Sequence, residues 1–313
     1  MINSLQDIIA PLSEKEFFSS YWTQSFAHLP GTSGRFEGLY SWEHLNHVLE
    51  EHRLIPGRLR LSRNAKPIET VQYLAGPGDY RLRSTEFVKQ LANGATLILN
   101  HADETYSPLR DLASALERVF RATVVVNLYA GWKTDPGFTA HFDDQDTFIL
   151  QVYGRKQWQV WAPTRQHPLR PDIEPAAKPE GPIYWEGILN DGEAIFMPRG
   201  WWHVAYPLNE PCMHLTVSIV SHTGVDFMKW VAEQMRISVD VRKNLPVHES
   251  PAEQDSYVNT LRNQIEQLLV PGVLEQYFGS WEGKRLQRPN FNLPFLGADT
   301  QLAAAGKELL HQQ

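Results

Sequence analysis

The sequence predicts a mainly β protein with flanking helices, on three observations. Short runs rich in β-branched and aromatic residues recur between Gly and Pro turns from Thr123 to Val220. Ahead of them and behind them, apolar residues recur at helical spacing. No run approaches the roughly 18 apolar residues of a membrane span.

The first 94 residues read as a mixed α/β lead-in packed on the core. Ser13-x-x-Glu16 starts a helix carrying Phe17, Phe18, Tyr21 and Trp22. Ser41 caps a second, with Trp42, Leu45, Val48 and Leu49 on one side, and Asn93-Gly94 stops a third over Thr85 to Ala92. Between them, Arg58 to Ser62 alternates Arg with Leu, as a short strand does. The main domain is expected over residues 95–222. Thr96 to Asn100 is an apolar strand, and Ser107 as N-cap with Pro108 at the first helical position opens a helix whose Leu109, Leu112, Leu116, Val119 and Phe120 face a core. The period then switches to that of strands at Thr123–Tyr129, Thr147–Val152, Lys156–Trp161, Glu193–Met197 and Met213–Val220, which suggests a sandwich or barrel. Gly154 marks a hairpin turn, and residues 163–182 form a long Pro-rich loop. Residues 223–313 read as a helical region, with Ser250-Pro251-x-Glu253 as a helix start and Pro271-Gly272 as a stop.

Composition narrows the functional classes. The chain has 313 residues, 42% hydrophobic and 21% charged, with a formal net charge of −7. That charge argues against direct nucleic-acid binding. One cysteine, Cys212, excludes an internal disulfide and a Cys-rich zinc site. The start lacks a basic and apolar leader, so a cytoplasmic protein is expected.

The chemistry concentrates in two segments. His141 and Asp143 are separated by one residue, so on a strand both side chains share a face. Sixty residues after Asp143, the run Phe196-Met-Pro-Arg-Gly-Trp-Trp ends at His203. A lone His-x-Asp is weak evidence, but two His and one carboxylate with open positions suit a non-haem Fe(II) site. The open positions would take a bidentate 2-oxo acid and dioxygen. Such an acid carries a distal carboxylate that needs a buried cation, and Lys156 stands across a hairpin from the His141 segment.

The segments His141-Phe-Asp143…Phe148-Ile-Leu-Gln-Val-Tyr-Gly-Arg-Lys156-Gln-Trp158 and Met197-Pro-Arg-Gly-Trp-Trp-His203 closely resemble the JmjC-type 2-oxoglutarate oxygenases, nearest to the ribosomal-protein hydroxylase branch. The resemblance covers about residues 95–220. It implies a double-stranded β-helix (cupin-like jelly roll), Fe(II) held by His141, Asp143 and His203, 2-oxoglutarate as co-substrate with O2, and Lys156 on its distal carboxylate. It also implies that Asn127, Tyr129 and Ser218 line the co-substrate pocket. Strand alternation puts His214 and Thr216 on the face of Ser218, so they join the candidate lining. One departure concerns Phe138, which stands where asparaginyl hydroxylases carry a Thr three residues before the first ligand. The stretch after Val220 is expected to be too short for the winged helix found in this branch in higher organisms, and resembles the family's dimerisation region instead.

The function expected is therefore hydroxylation of a side chain of a protein or peptide, a ribosomal protein among the candidates, by a homodimer. The same iron centre would serve a small molecule, a free amino acid, a biosynthetic peptide or N-demethylation. The non-enzyme alternative is a cupin-like binding or dimerisation module, which has no physical need for all four of His141, Asp143, Lys156 and His203. The same ligands also accept manganese, nickel or zinc.

Overall fold

Residues 2–51, 54–172 and 179–289 are described in a computed structural model of the chain. The strands among them are β1 Ala27–Leu29, β2 Leu59–Arg63, β3 Lys66–Pro67, β4 Thr96–Leu99, β5 Thr123–Gly131, β6 Asp146–Tyr153, β7 Lys156–Trp161, β8 Trp185–Leu189, β9 Ala194–Met197, β10 Trp202–Pro207 and β11 Cys212–Val220. They form an eight-stranded antiparallel sheet in the order β1-β9-β6-β11-β5-β4-β2-β3 and a three-stranded sheet in the order β10-β7-β8. After β5 the chain passes repeatedly between the two sheets. This is the interleaving of a double-stranded β-helix, and the mainly β core with flanking helices expected from the sequence is present.

Alternation along the strands explains what each face does. Val124, Val126 and Leu128 of β5, Phe148 and Leu150 of β6, and Leu215 and Val217 of β11 point to one side of the large sheet. There they meet Leu109, Leu112 and Leu116 of the helix Ser107–Phe120 and Phe17 of the helix Glu14–Ser20. Each fully buried aliphatic or aromatic side chain of this kind contributes about 1.5–3 kcal/mol. The opposite face of the same strands looks toward the small sheet. Part of it is apolar, with Ile149 and Ile195 packed on Trp158, Val160 and Trp201. The rest is polar although buried, carrying His214, Thr216 and Ser218 on β11. A buried polar face is costly unless it is used.

The N-terminal segment does more than pack on this core. β1 pairs with β9, while β2 and β3 extend the large sheet beyond β4. The boundary expected at residue 94 thus falls within a continuous sheet. By compactness the chain divides into residues 1–265 and 266–313, so the boundary expected at 222 falls inside the first unit. That unit ends in the helices Gly224–Met235 and Val239–Arg242 and most of Pro251–Leu268; the second contains the helix Val273–Lys284.

Local expectations are corrected in three places. The helix at Ser107 begins one residue earlier than expected: Tyr106, extended at φ −145° and ψ 127°, is the N-cap, and Pro108 follows Ser107 inside the first turn. The strand expected to open at His141 begins only at Asp146. β8 and β10 were not anticipated, because Gly187 interrupts one pattern and the other merges with the Pro198–Gly200 turn. At the hairpin, Gly154 has φ +64°, and a Cβ there would lie 2.2 Å from the Pro211 carbonyl oxygen, so glycine is required.

Candidate metal centre and its cavity

Backbone pairing brings the two ligand segments together. The His141 N–H donates to the His203 carbonyl at 3.1 Å and the His203 N–H donates back at 2.8 Å, on the side of β10 away from β7. Two residues on, the Asp143 carbonyl accepts the Gly200 N–H at 2.9 Å. The turn before His203 is fixed from a third side, since the Arg199 N–H donates to Asp146 Oδ1 at 3.1 Å. Asp146 is buried, and that burial raises its carboxyl above the ordinary range. Gly200 makes the turn at φ +90°, with the Arg165 carbonyl oxygen 2.7 Å from where a Cβ would stand. Gly200→Ala is expected to cost roughly 1–3 kcal/mol in denaturant unfolding and to weaken metal binding measured by titration.

The sequence placed His141 and Asp143 on one face of a strand. In the structure Asp143 lies beyond the bridge, in irregular backbone outside any strand, yet the three side chains converge. His141 Nε2 is 3.9 Å from Asp143 Oδ1, and His203 Nε2 is 3.8 Å from Asp143 Oδ2. Both lie under about 4.2 Å, twice an ordinary metal–nitrogen length, so one ion can bridge each pair. All three donor atoms lie within 4.8 Å of one another.

Hydrogen bonds fix the tautomers. Each Nδ1 faces a backbone carbonyl, Thr139 O at 2.8 Å for His141 and Trp201 O at 3.1 Å for His203. A carbonyl only accepts, so each Nδ1 carries the proton and each Nε2 lone pair is free. This is the outer arrangement that orients metal-ligating histidines. Burial, reinforced by the neighbouring His141, pushes His203 down to about 4.

That shift has a consequence for pH. Between about 4 and the ordinary 6.5 the unfolded chain holds the His203 proton and the folded metal-free protein does not. The contribution is therefore present above 6.5 and is lost as pH falls toward 4. His214 is shifted in the same direction, by burial first and Lys156 second. Urea unfolding of the metal-free protein should show stability falling through this window; a flat profile would contradict the assignment.

The triad opens on a cavity of about 280 Å3 between the two sheets. Lys156 lines it, buried, with Nζ donating to His214 Nδ1 at 2.9 Å. Burial pulls its ammonium below the ordinary lysine value. No carboxylate forms an ion pair with Lys156 among the described residues. His214 stacks on Tyr129 with ring centroids 4.9 Å apart. Tyr129 is pushed up to about 12, by burial first and Asp143 second, and remains a hydroxyl donor. Among the other residues singled out from sequence, Thr216 and Phe138 line the cavity, and the Phe138 ring packs 6.1 Å from Tyr129 and 5.6 Å from His141.

Asn127 and Ser218 lie outside this lining. Asn127 shares the Tyr129 face; its Oδ1 accepts the His101 N–H at 3.0 Å, and its side chain is also a hydrogen-bond partner of Tyr129. Ser218 is buried farther along β11, opposite Val125 and Thr147. The lining also includes residues that the sequence reading did not single out: Arg60, Thr96, Gly137, Trp158 and Val204. Trp158 could have been found by alternation from Lys156, whereas Arg60 and Thr96 required the order of strands in the sheet.

Residues 101–227 match the family model described as "JmjC domain". The chain is 26% identical over 257 residues to the Drosophila pseudoobscura pseudoobscura protein named bifunctional lysine-specific demethylase and histidyl-hydroxylase NO66, covering 78% of this chain and 26% of that one. The chain thus spans about a quarter of that relative's length. Among solved structures, Escherichia coli ycfD superposes with TM-score 0.58 at 17% identity, covering 90% of this chain and 74% of that chain. The ribosomal oxygenase YcfD of the same organism, in complex with cobalt and 2-oxoglutarate, superposes with TM-score 0.54 at 18% identity, covering 86% and 70%. These likenesses show a shared fold.

Proposed function

Because the chain carries a JmjC domain over residues 101–227, we propose that it is an Fe(II)- and 2-oxoglutarate-dependent oxygenase that hydroxylates a side chain of a protein or peptide. The observation that carries this reading is the placement, in one cavity, of a two-His, one-Asp cluster and a buried lysine that has no carboxylate partner among the described residues. A ligand-free cupin module would have no reason to bury an ammonium where an apolar residue would cost less.

The donor set fits the metal. Two neutral imidazoles, each held by a backbone carbonyl, and one carboxylate leave the open side that such iron sites use. When bound, iron supplies oxygen activation coupled to oxidative decarboxylation of the 2-oxo acid to succinate. The chain's own residues do the rest. Lys156 pairs with the distal carboxylate of the co-substrate, and Tyr129 remains protonated to donate beside it. His214 Nδ1 accepts a hydrogen bond from Lys156 and so aims the ammonium. Trp158, Phe138 and Ile149 exclude water from the reacting side.

The relatives support a protein substrate: one is named a histidyl-hydroxylase and demethylase, and another is described as a ribosomal oxygenase. We place the protein in the cytoplasm as a homodimer, without membrane or direct nucleic-acid contacts. No helix among the described residues is long and apolar enough to cross a membrane. Ile237, Leu245, Val247 and Val258 are exposed within residues 1–265, as a pairing surface would be. Light scattering should give twice the chain mass; a monomer at micromolar concentration would refute the dimer.

The reaction is tested by incubating the iron-loaded protein with 2-oxoglutarate, isotopically heavy dioxygen and extracted ribosomal proteins, then mapping peptides by mass spectrometry. Gain of one heavy oxygen atom on a side chain supports hydroxylation. Loss of a methyl group would favour demethylation. Consumption of 2-oxoglutarate with no protein modification would point to a small-molecule substrate.

A further inference from the structure

We infer that Arg60 is a specificity-determining residue that selects an uncharged or acidic target side chain and rejects arginine, lysine and methylated lysine. The inference rests on the oxygenase reading and deepens it, by naming the charge class of the substrate.

Arg60 reaches the site from the N-terminal segment through strand register. It stands opposite Ile98 on β4, Ile98 opposite Tyr129 on β5, and Tyr129 opposite His214 on β11. Cross-strand partners share a face, so these four residues form one row across the sheet. The row runs from the buried Lys156–His214 pair to an exposed arginine at the cavity's edge. The Arg60 side chain makes no hydrogen bond or ion pair among the described residues. Its charge also reaches the cavity wall, because it counteracts the rise in the Tyr129 pKa.

A census of charge around the cavity decides what Arg60 would meet. Apart from the histidines, only Arg60, Asp143 and Lys156 among the lining residues carry formal charge. With a divalent ion and a 2-oxo dianion bound, the ion, Asp143, the dianion and Lys156 cancel. Arg60 is left as the uncompensated charge at the mouth of the reacting space, where a second positive charge would meet it at close range. A guanidinium or ammonium entering there is repelled. An imidazole, amide or carboxylate is not, and a substrate oxygen can accept the fork of Arg60 N–H donors.

The test uses the full chain and five capped alanine-flanked peptides with His, Asn, Asp, Arg or trimethyl-lysine at the centre. Binding to the anaerobic Fe(II)–2-oxoglutarate protein is read by tryptophan fluorescence, and succinate formed without peptide is measured separately. Wild type should bind the His, Asn and Asp peptides roughly tenfold or more tightly than the two cationic ones, about 1.4 kcal/mol or more. Arg60→Glu should invert that order, and Arg60→Lys should keep it. The inference is overturned if wild type binds the cationic peptides equally well or binds none of the five. It is also overturned if Arg60→Glu leaves the order unchanged, or acts on the 2-oxoglutarate requirement instead. Absence of peptide-free succinate from wild type would count against the oxygenase reading itself, and the peptide order would still report on Arg60.

Discussion

His203→Ala is expected to abolish tight metal binding and leave no succinate above background. His203 is the most enclosed of the three ligands, and its ring is aimed by the bond from Nδ1 to the Trp201 carbonyl. Removing an outer partner of a ligand typically costs 10–100-fold in affinity, so removing a ligand should cost at least about 100-fold. Asp143 would be left with one histidine, 3.9 Å away, and no facial set. The fold should survive, because the His141–His203 bridge is made by backbone groups that alanine keeps. Unchanged near-ultraviolet circular dichroism with loss of calorimetric iron binding would meet the expectation. Wild-type affinity in a folded variant would remove His203 from the site.

Lys156→Met should have two opposite effects. Without co-substrate, the wild-type protein buries an ammonium whose hydrogen bond goes to neutral His214 and which no carboxylate among the described residues balances. Replacing such a charge with an apolar side chain of similar length is expected to stabilise the co-substrate-free protein by about 1–4 kcal/mol. The sign follows from the lowered lysine value: the unfolded chain keeps a proton that folding disfavours. The difference between the two proteins should therefore shrink as pH is raised toward the ordinary lysine value of 10.5. With co-substrate the order reverses. A distal carboxylate left unpaired costs about 3–5 kcal/mol, or roughly two to three and a half decades in 2-oxoglutarate affinity. Iron binding should be unaffected, which separates Lys156 from the ligands. A variant that is less stable without co-substrate and binds 2-oxoglutarate normally would mean that Lys156 serves packing alone.

What was legible in the sequence is what is local. His141, Asp143 and the Pro-Arg-Gly-Trp-Trp turn before His203 lie in two short segments whose residue types name their chemistry. Lys156 follows from a hairpin whose Gly154 can be read directly. Alternation on β11 correctly grouped His214, Thr216 and Ser218 on one face. It could not say where the cavity stops, which depends on Ser218 lying opposite Val125 and Thr147. Asn127 illustrates a second limit, since it ties Tyr129 to the backbone N–H of His101, which is brought near by tertiary folding. Arg60 was read as part of the lead-in and Thr96 only as the start of an apolar strand, because nothing local reveals that β2 and β4 extend the large sheet beside Tyr129. The same non-local pairing hides β8 and β10, which gain their strand character from β7.

We propose that one cavity holds iron on His141, Asp143 and His203 and 2-oxoglutarate on Lys156. The most direct test is to load the protein anaerobically with Fe(II) and 2-oxoglutarate, confirm that both are bound, then admit dioxygen and quantify succinate. The account predicts succinate formed in step with 2-oxoglutarate lost, only when iron is present. Bound iron and bound 2-oxoglutarate that persist unchanged in air, with or without added substrate proteins, would contradict it.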